Sequence, residues 1–309
     1  MDIPYDFWDS VEENNGTNIG ISDTDSIIIS IPYINCETTA EYVKKAEIVA
    51  SDINSEIRNF LNKNVLTKMN ISESNNETFF KTENVISAIM SLDVKKKYCL
   101  KEIANEKTIH ETPIIKYTGL SIVRTNSALL TKDFMKELIE NIALSNVEKT
   151  KQEVKKELAV TSKKYYDRLV NDIKVYNFDY IGVPCKWAST QYKLQPAEIV
   201  GMKLYNTLTE KDYFQENTSG KKVPIKINNI NEFSEKIESL RHKYPGQTIE
   251  NISIDKLNFL VVPIFHERDE LENVFKKFGI NINEDLAWSN LIDTTFERII
   301  KCIRDNSGI

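Results

Sequence analysis

The stretch Asn18-Ile19-Gly20-Ile21-Ser22-Asp23-Thr24-Asp25-Ser26-Ile27-Ile28-Ile29-Ser30-Ile31 decides how the chain is read. β-Branched runs flank a cluster of turn-forming residues, which predicts a strand, a tight turn and a second strand. One residue separates Asp23 from Asp25, and in a strand that spacing points both side chains to one face. Two carboxylates held close repel each other unless one is protonated or a cation lies between them. Carboxylate oxygens suit Mg²⁺ or Mn²⁺, which complete their shells with water and substrate phosphates. The plain alternative is that Asp-Thr-Asp-Ser only makes a hairpin turn.

Downstream the period changes. Tyr42, Ala46, Val49, Ile53, Ile57, Phe60 and Leu61 recur at three- and four-residue steps, predicting an amphipathic helix from Thr38 to about Asn62, capped at Thr38 or Thr39. The polar run Asn70 to Glu77 predicts an exposed turn. Strands are expected over 78–82, 85–92, 97–103 and 114–120, then a helix from Ser127 and a charged helical stretch over 147–171. The remainder mixes predicted strands (178–183, 223–227, 259–265) with helices (196–208, 231–244, 269–278, 286–304). Helix and strand alternate without a βαβα rhythm, so the expected class is α+β.

The chain has 309 residues, 41% hydrophobic and 28% charged, in the range of soluble globular proteins. Its longest apolar stretch, Leu257 to Phe265, is broken by Asn258 and Pro263, far short of the roughly 20 residues of a membrane span. The acidic opening lacks the basic start of a secretory signal, and Cys36, Cys99, Cys185 and Cys302 form no Cys-x-x-Cys pair; a cytoplasmic protein is expected, with no membrane partner. His110, His242 and His266 share no metal-ligand spacing. No Walker loop and no Gly-x-Gly-x-x-Gly occurs, so phosphate chemistry would rest on a metal.

Charge is unevenly spread. The net −6 contains −7 from Asp2, Asp6, Asp9, Glu12, Glu13, Asp23 and Asp25, leaving the other residues at +1. Between Asp93 and Arg124, seven bases face four acids. That basic middle opens on Lys95-Lys96-Lys97-Tyr98, at the start of a predicted strand. Lysines neutralise phosphates and a tyrosine can stack on or hydrogen-bond a nucleotide, although a lysine run is also what a solvated strand end looks like.

Together these segments resemble a known family. Ile21-Ser22-Asp23-Thr24-Asp25-Ser26 resembles motif C of the family B DNA polymerases, Tyr-Gly-Asp-Thr-Asp-Ser, and Lys95 to Tyr98 resembles their Lys-Lys-Arg-Tyr primer-contacting motif. Lys116-Tyr-Thr-Gly-Leu-Ser-Ile-Val-Arg124 is similar to the family's Lys-x-x-Gly-Leu-Glu-x-Val-Arg segment leading into the thumb. Pro196 to Asn206 and Phe296 to Lys301 look like thumb elements of the tailed-phage replicative branch. Ile21-Ser22 departs from Tyr-Gly, and Ser121 departs from the family's Glu.

The resemblance implies a partial palm over residues 1–125, an antiparallel sheet with packed helices, and a mostly helical thumb with a small β subregion over 126–309. It implies Asp25 as the direct ligand of the catalytic metals and Asp23 as the neighbouring catalytic and metal-site carboxylate. Thr24 would lie by the primer terminus, with Lys95, Lys96, Tyr98 and Lys116 as DNA contacts and Arg124 at the palm–thumb junction. The implied cofactor is Mg²⁺ in a two-metal site, with Mn²⁺ able to substitute, and the implied partners are primer-template DNA and a deoxynucleoside triphosphate.

Motif A (Asp-x-x-Ser-Leu-Tyr-Pro) and motif B (Lys-x-x-x-Asn-Ser-x-Tyr-Gly) are missing from the sequence, and little chain precedes Asp23. The expectation is therefore a split-polymerase subunit whose larger partner chain supplies exonuclease, fingers, motif A and the second metal carboxylate; for a phage protein the host cytoplasm would be its location. A catalytically inactive DNA-binding accessory protein is the alternative, which the retained Asp23 and Asp25 disfavour. A sugar-nucleotide glycosyltransferase Asp-x-Asp would need an upstream βαβ unit. The end Arg304 to Ile309 lacks the aromatic tail with which the phage branch docks a sliding clamp, so no clamp contact is expected there.

Overall fold

A computed structural model describes residues 18–23, 26–30, 36–92, 95–106, 108–145, 150–188, 196–241, 258–293 and 296–299; for 18–23, Ser26, Lys151 and Arg241 it describes the backbone alone. The chain is α+β, every strand pair is antiparallel, and the contacts divide into two compact units between Thr118 and Gly119. The sequence boundary at 125 lies inside the second unit. Among the described residues no helix is long and apolar enough to cross a membrane.

The first unit begins with the expected hairpin, β1 (Asn18–Asp23) and β2 (Ser26–Ser30). Helix α1 (Thr39–Leu61) follows, its first turn capped by Thr38, whose Oγ1 accepts from the Glu41 amide at 3.3 Å. Its buried stripe is Ala46, Val49, Ile53 and Ile57, against which Ile29 of β2, Phe60, Leu61 and Phe80 pack. Burying each Val or Ile here contributes about 1.5–3 kcal/mol. Ile29 thus anchors the hairpin to the helix.

Strands β3 (Asn84–Ser91), β4 (Tyr98–Asn105) and β5 (Ile109–Thr118) form a three-stranded meander. Pro113 lacks an amide hydrogen and sits in β5, at a sheet edge where this is tolerated. The strand expected over 78–82 is not one. Its backbone instead bonds to helix side chains four residues apart on α1: Asn54 donates from Nδ2 to Phe80 O (2.6 Å) and accepts from Phe80 N, and Arg58 Nε donates to Thr78 O at 3.2 Å. The extended segment is thus bonded to helix side chains in place of a neighbouring strand.

In the second unit, Gly119 takes a left-handed φ of 63°, which a Cβ would strain, and turns the chain out of β5. Helices α2 (Leu129–Leu138) and α3 (Lys151–Lys174) pack through Leu130, Phe134, Leu138, Tyr165 and Leu169, with the Phe134 and Tyr165 rings edge-on at 5.2 Å. Thr150 and Glu153 form a capping box at the start of α3.

The strand expected over 178–183 is a one-turn helix α4 (Phe178–Ile181) followed by β6 (Val183–Lys186). Phe178, Tyr180 and Ile181 all bury in the core, and Gly182 ends the turn where a Cβ would meet Phe178 O at 2.5 Å. Burial from outside the segment outweighed its β-like composition.

The rest is α5 (Ala197–Thr209), β7 (Ser219–Ile227), α6 (Ile230–Arg241), β8 (Phe259–Pro263), α7 (Arg268–Phe278), β9 (Ile280–Ile282) and α8 (Glu284–Trp288). β7 runs between β8 on one side and β6 and then β9 on the other. The small β9 strand and β6 were not expected. One core of helices and this sheet fills the unit, centred on Tyr205, Phe178, Phe233, Leu260 and Val261.

Candidate functional site

The hairpin register is explicit: Asn18 faces Ser30, Ser22 faces Ile27, and Asp23 faces Ser26. Only Thr24 and Asp25 separate the last pair in sequence, the length of the tightest hairpin connection. A β-bulge between Ile19 and Ile21 shifts the register and adds local twist. Asp23 therefore ends β1, while its side chain, together with Thr24 and Asp25, lies outside the described residues. Among the described residues no group of three His, Cys, Asp or Glu side chains converges as a metal site.

Four of the residues singled out in sequence share the three-stranded sheet. Lys95 and Lys96 are exposed in the β3–β4 turn, which the Leu92 amide closes by donating to Lys97 O at 3.0 Å. Lys96 has φ 58°, a left-handed conformation that Gly or Asn adopts more cheaply. Tyr98 opens β4, half-buried, opposite Ser91 and Thr118. Lys116 lies opposite Leu100. Residues at alternate positions share a face, so Tyr98, Leu100 and Lys116 lie on the same side of the sheet. Arg124 belongs to the second unit, exposed just after a short turn over Ser121–Val123, its amide donating to Ser121 O.

Sequence reading missed the group beneath Lys116. Glu102, 1% exposed in mid-β4, is ion-paired through Oε2 with Lys116 Nζ at 2.5 Å and accepts from His110 Nε2 at 2.8 Å on Oε1. Lys116 Nζ also donates to Asn84 Oδ1 at 3.2 Å. Burial pushes the Glu102 pKa up, but the ion pair with Lys116 and the hydrogen bond from His110 outweigh it and hold the carboxyl below its usual value. Glu102 is thus ionised near neutral pH. The available signal was parity: Glu102 takes a turn on the same side as Leu100 and Ala104, where a charge needs a partner.

Lys116 is accordingly an ion-paired lysine and not a solvated cation, which alters the contact it can make with a phosphate. An open groove between α1 and the extended segment after it is lined by Asn54, Arg58, Phe79, Lys81 and Glu106, with Lys81 and Glu106 paired at 2.7 Å. Its lining carries charges of both signs. In the second unit a smaller recess beside β6 holds Cys185, Glu198 and Lys222; burial pushes the Cys185 thiol up to about 11, so it stays protonated and unreactive at neutral pH.

Comparison with models of known protein families gives no match, and comparison with curated proteins gives none either.

Proposed function

We propose that this chain is the C-terminal, palm-and-thumb part of a family B DNA polymerase of the tailed-phage replicative type, acting as one subunit of a split DNA-directed DNA polymerase. The observation that carries the reading is the hairpin register, in which Asp23 pairs with Ser26 and leaves Thr24 and Asp25 as the connecting dipeptide of an Asp-Thr-Asp-Ser turn. The second hairpin supports it, because Lys95, Lys96 and Tyr98 gather at one end of the same sheet that carries Lys116.

Aspartate oxygens are the donors that Mg²⁺ and Mn²⁺ prefer, so Asp25, with Asp23 beside it and a further carboxylate from a larger partner chain, would hold the metal. Bound there, a divalent cation supplies Lewis-acid activation and charge neutralisation for nucleotidyl transfer. The chain's own residues would do the rest. Lys95 would attract the phosphate backbone of primer-template DNA, Lys96 would reach the minor groove at its primer end, Tyr98 would brace the primer strand, Thr24 would sit by its terminus, and Arg124 would support the junction with the thumb. The deoxynucleoside triphosphate would be gripped by the partner, which must also bring motifs A and B, fingers and exonuclease. The host cytoplasm is the corresponding location.

The test is primer extension with Mg²⁺ and deoxynucleotides. The purified chain alone is expected to extend nothing. Mixed with a chain that carries motifs A and B, it should extend, and Asp25→Ala should lower that rate by about 10²–10³-fold, the scale lost with a charge-stabilising catalytic group. Extension by the chain alone, or full activity of the Asp25→Ala complex, would overturn the reading.

A further inference from the structure

Lys116 and Glu102 define a contact of a different kind from the lysines of the turn. The Lys116 ammonium has three N–H donors. Its nitrogen is ion-paired with Glu102 Oε2 at 2.5 Å, and it donates one N–H to Asn84 Oδ1 at 3.2 Å. Yet the side chain remains 47% exposed on the sheet face that it shares with Tyr98 and Leu100. Glu102 is fixed from its other oxygen by His110 and by burial, so the carboxylate cannot follow a ligand outward. The ammonium is therefore held in place, its charge cancelled one for one, with a donor still available on the open face.

An ammonium in that state offers little net attraction to a phosphate, whose affinity for lysine is mainly Coulombic and counterion-driven. It does offer a directed N–H whose orienting cost has already been met by folding. Such a donor suits an uncharged acceptor.

Resting on the polymerase reading above, we propose that Glu102 is a positioning residue that turns Lys116 from a phosphate-binding cation into a charge-compensated donor for an uncharged acceptor of the bound duplex, a base edge or a sugar oxygen. Lys95, exposed in the β3–β4 turn, supplies charge; Lys116 supplies geometry.

Salt dependence separates the two roles. The experiment measures binding of the full chain to a fluorescein-labelled primer-template duplex by anisotropy between about 50 and 200 mM salt, where each phosphate contact contributes about 0.9 to the slope of log K against log salt. Lys95→Ala should flatten the slope by about 0.9. The double variant Lys116→Met/Glu102→Gln, which removes both charges of the pair, should weaken binding several-fold at every salt concentration and leave the slope unchanged. Glu102→Gln, checked for folding by circular dichroism, should steepen the slope by releasing a net cation. A duplex carrying 3-deazapurines, which lack the purine N3 acceptor, assigns the acceptor: weaker binding that the double variant no longer distinguishes identifies a base edge, and unchanged behaviour identifies a sugar oxygen.

If the double variant flattens the slope by about 0.9, or leaves affinity unaltered, the inference is wrong while DNA binding stands. If the wild-type chain binds no duplex at all, the polymerase reading and the inference fall together. The double variant, in which neither charge is left without its partner, carries the test even where Glu102→Gln does not fold.

Discussion

Asn54 and Asn206 do the same work in the two units. Each side-chain amide makes two hydrogen bonds to the backbone of a single phenylalanine, Asn54 to Phe80 and Asn206 to Phe214, imitating a neighbouring strand. Their surroundings differ. Asn206 is 3% exposed inside the large core of the second unit, with Tyr205, Phe214 and Leu208 about it. Asn54 is half-buried over the much smaller cluster of Val49, Ile53 and Ile57. The second unit is organised by apolar burial, and its polar ties lie inside. The first relies on ties near its surface: Asn54 and Arg58 to the segment around Phe80, Asn76 Nδ2 to Asn62 Oδ1 at 2.7 Å, and Lys116 to Glu102.

Removing each tie tests that contrast. Asn206→Ala leaves the Phe214 amide and carbonyl without partners where water does not reach, and should destabilise the second unit by about 2–3 kcal/mol. Asn54→Ala exposes the equivalent groups of Phe80 to solvent, which can replace the lost bonds, so the expected cost to the first unit is about 1 kcal/mol. Hydrogen exchange read segment by segment measures both losses in their own units. Equal losses would break the comparison, since they would mean that burial does not set the cost.

Acid should find the first unit through Glu102. Its folded pKa lies below the usual 4.5, because the bonds from Lys116 and His110 outweigh the opposing effect of burial. A depressed carboxylate contributes stability that is fully present above the unfolded value and is lost as pH falls through the folded one. Protection of β4 and β5 should therefore decline as pH drops below about 4.5, and Glu102→Gln should flatten that decline. A decline of the same size in the variant would assign the acid sensitivity to other carboxylates.

Much of this fold could be read in advance where local pattern and environment agree. The Asp23–Ser26 hairpin, the capped α1 stripe and the β3–β4–β5 meander all follow from period and turn residues. The misreadings share one cause. Residues 78–82 and 178–181 have β-like composition, but their backbone partners and burial come from elements distant in sequence, the α1 side chains for one and the second core for the other. The candidate site divides in the same way. Lys95, Lys96 and Tyr98 stand out as a contiguous run, whereas the pairing of Lys116 with Glu102 depends on strand register, which no local motif states.

The smallest expected effect is at Lys96, where stability and binding should move in opposite directions. A lysine at φ 58° carries left-handed strain of about 1 kcal/mol that glycine would not. Lys96→Gly relieves it, and the larger conformational freedom of glycine in the unfolded chain returns part of the gain, leaving a net stabilisation of about 0.5 kcal/mol. If the strain is retained because the ammonium is needed at the hairpin tip, the same variant should lose duplex affinity several-fold and flatten the salt slope by about 0.9. Thermal unfolding and anisotropy on one preparation read both quantities. A Lys96→Gly chain that is more stable and binds DNA as well as wild type would show that the tip lysine makes no contact with the duplex.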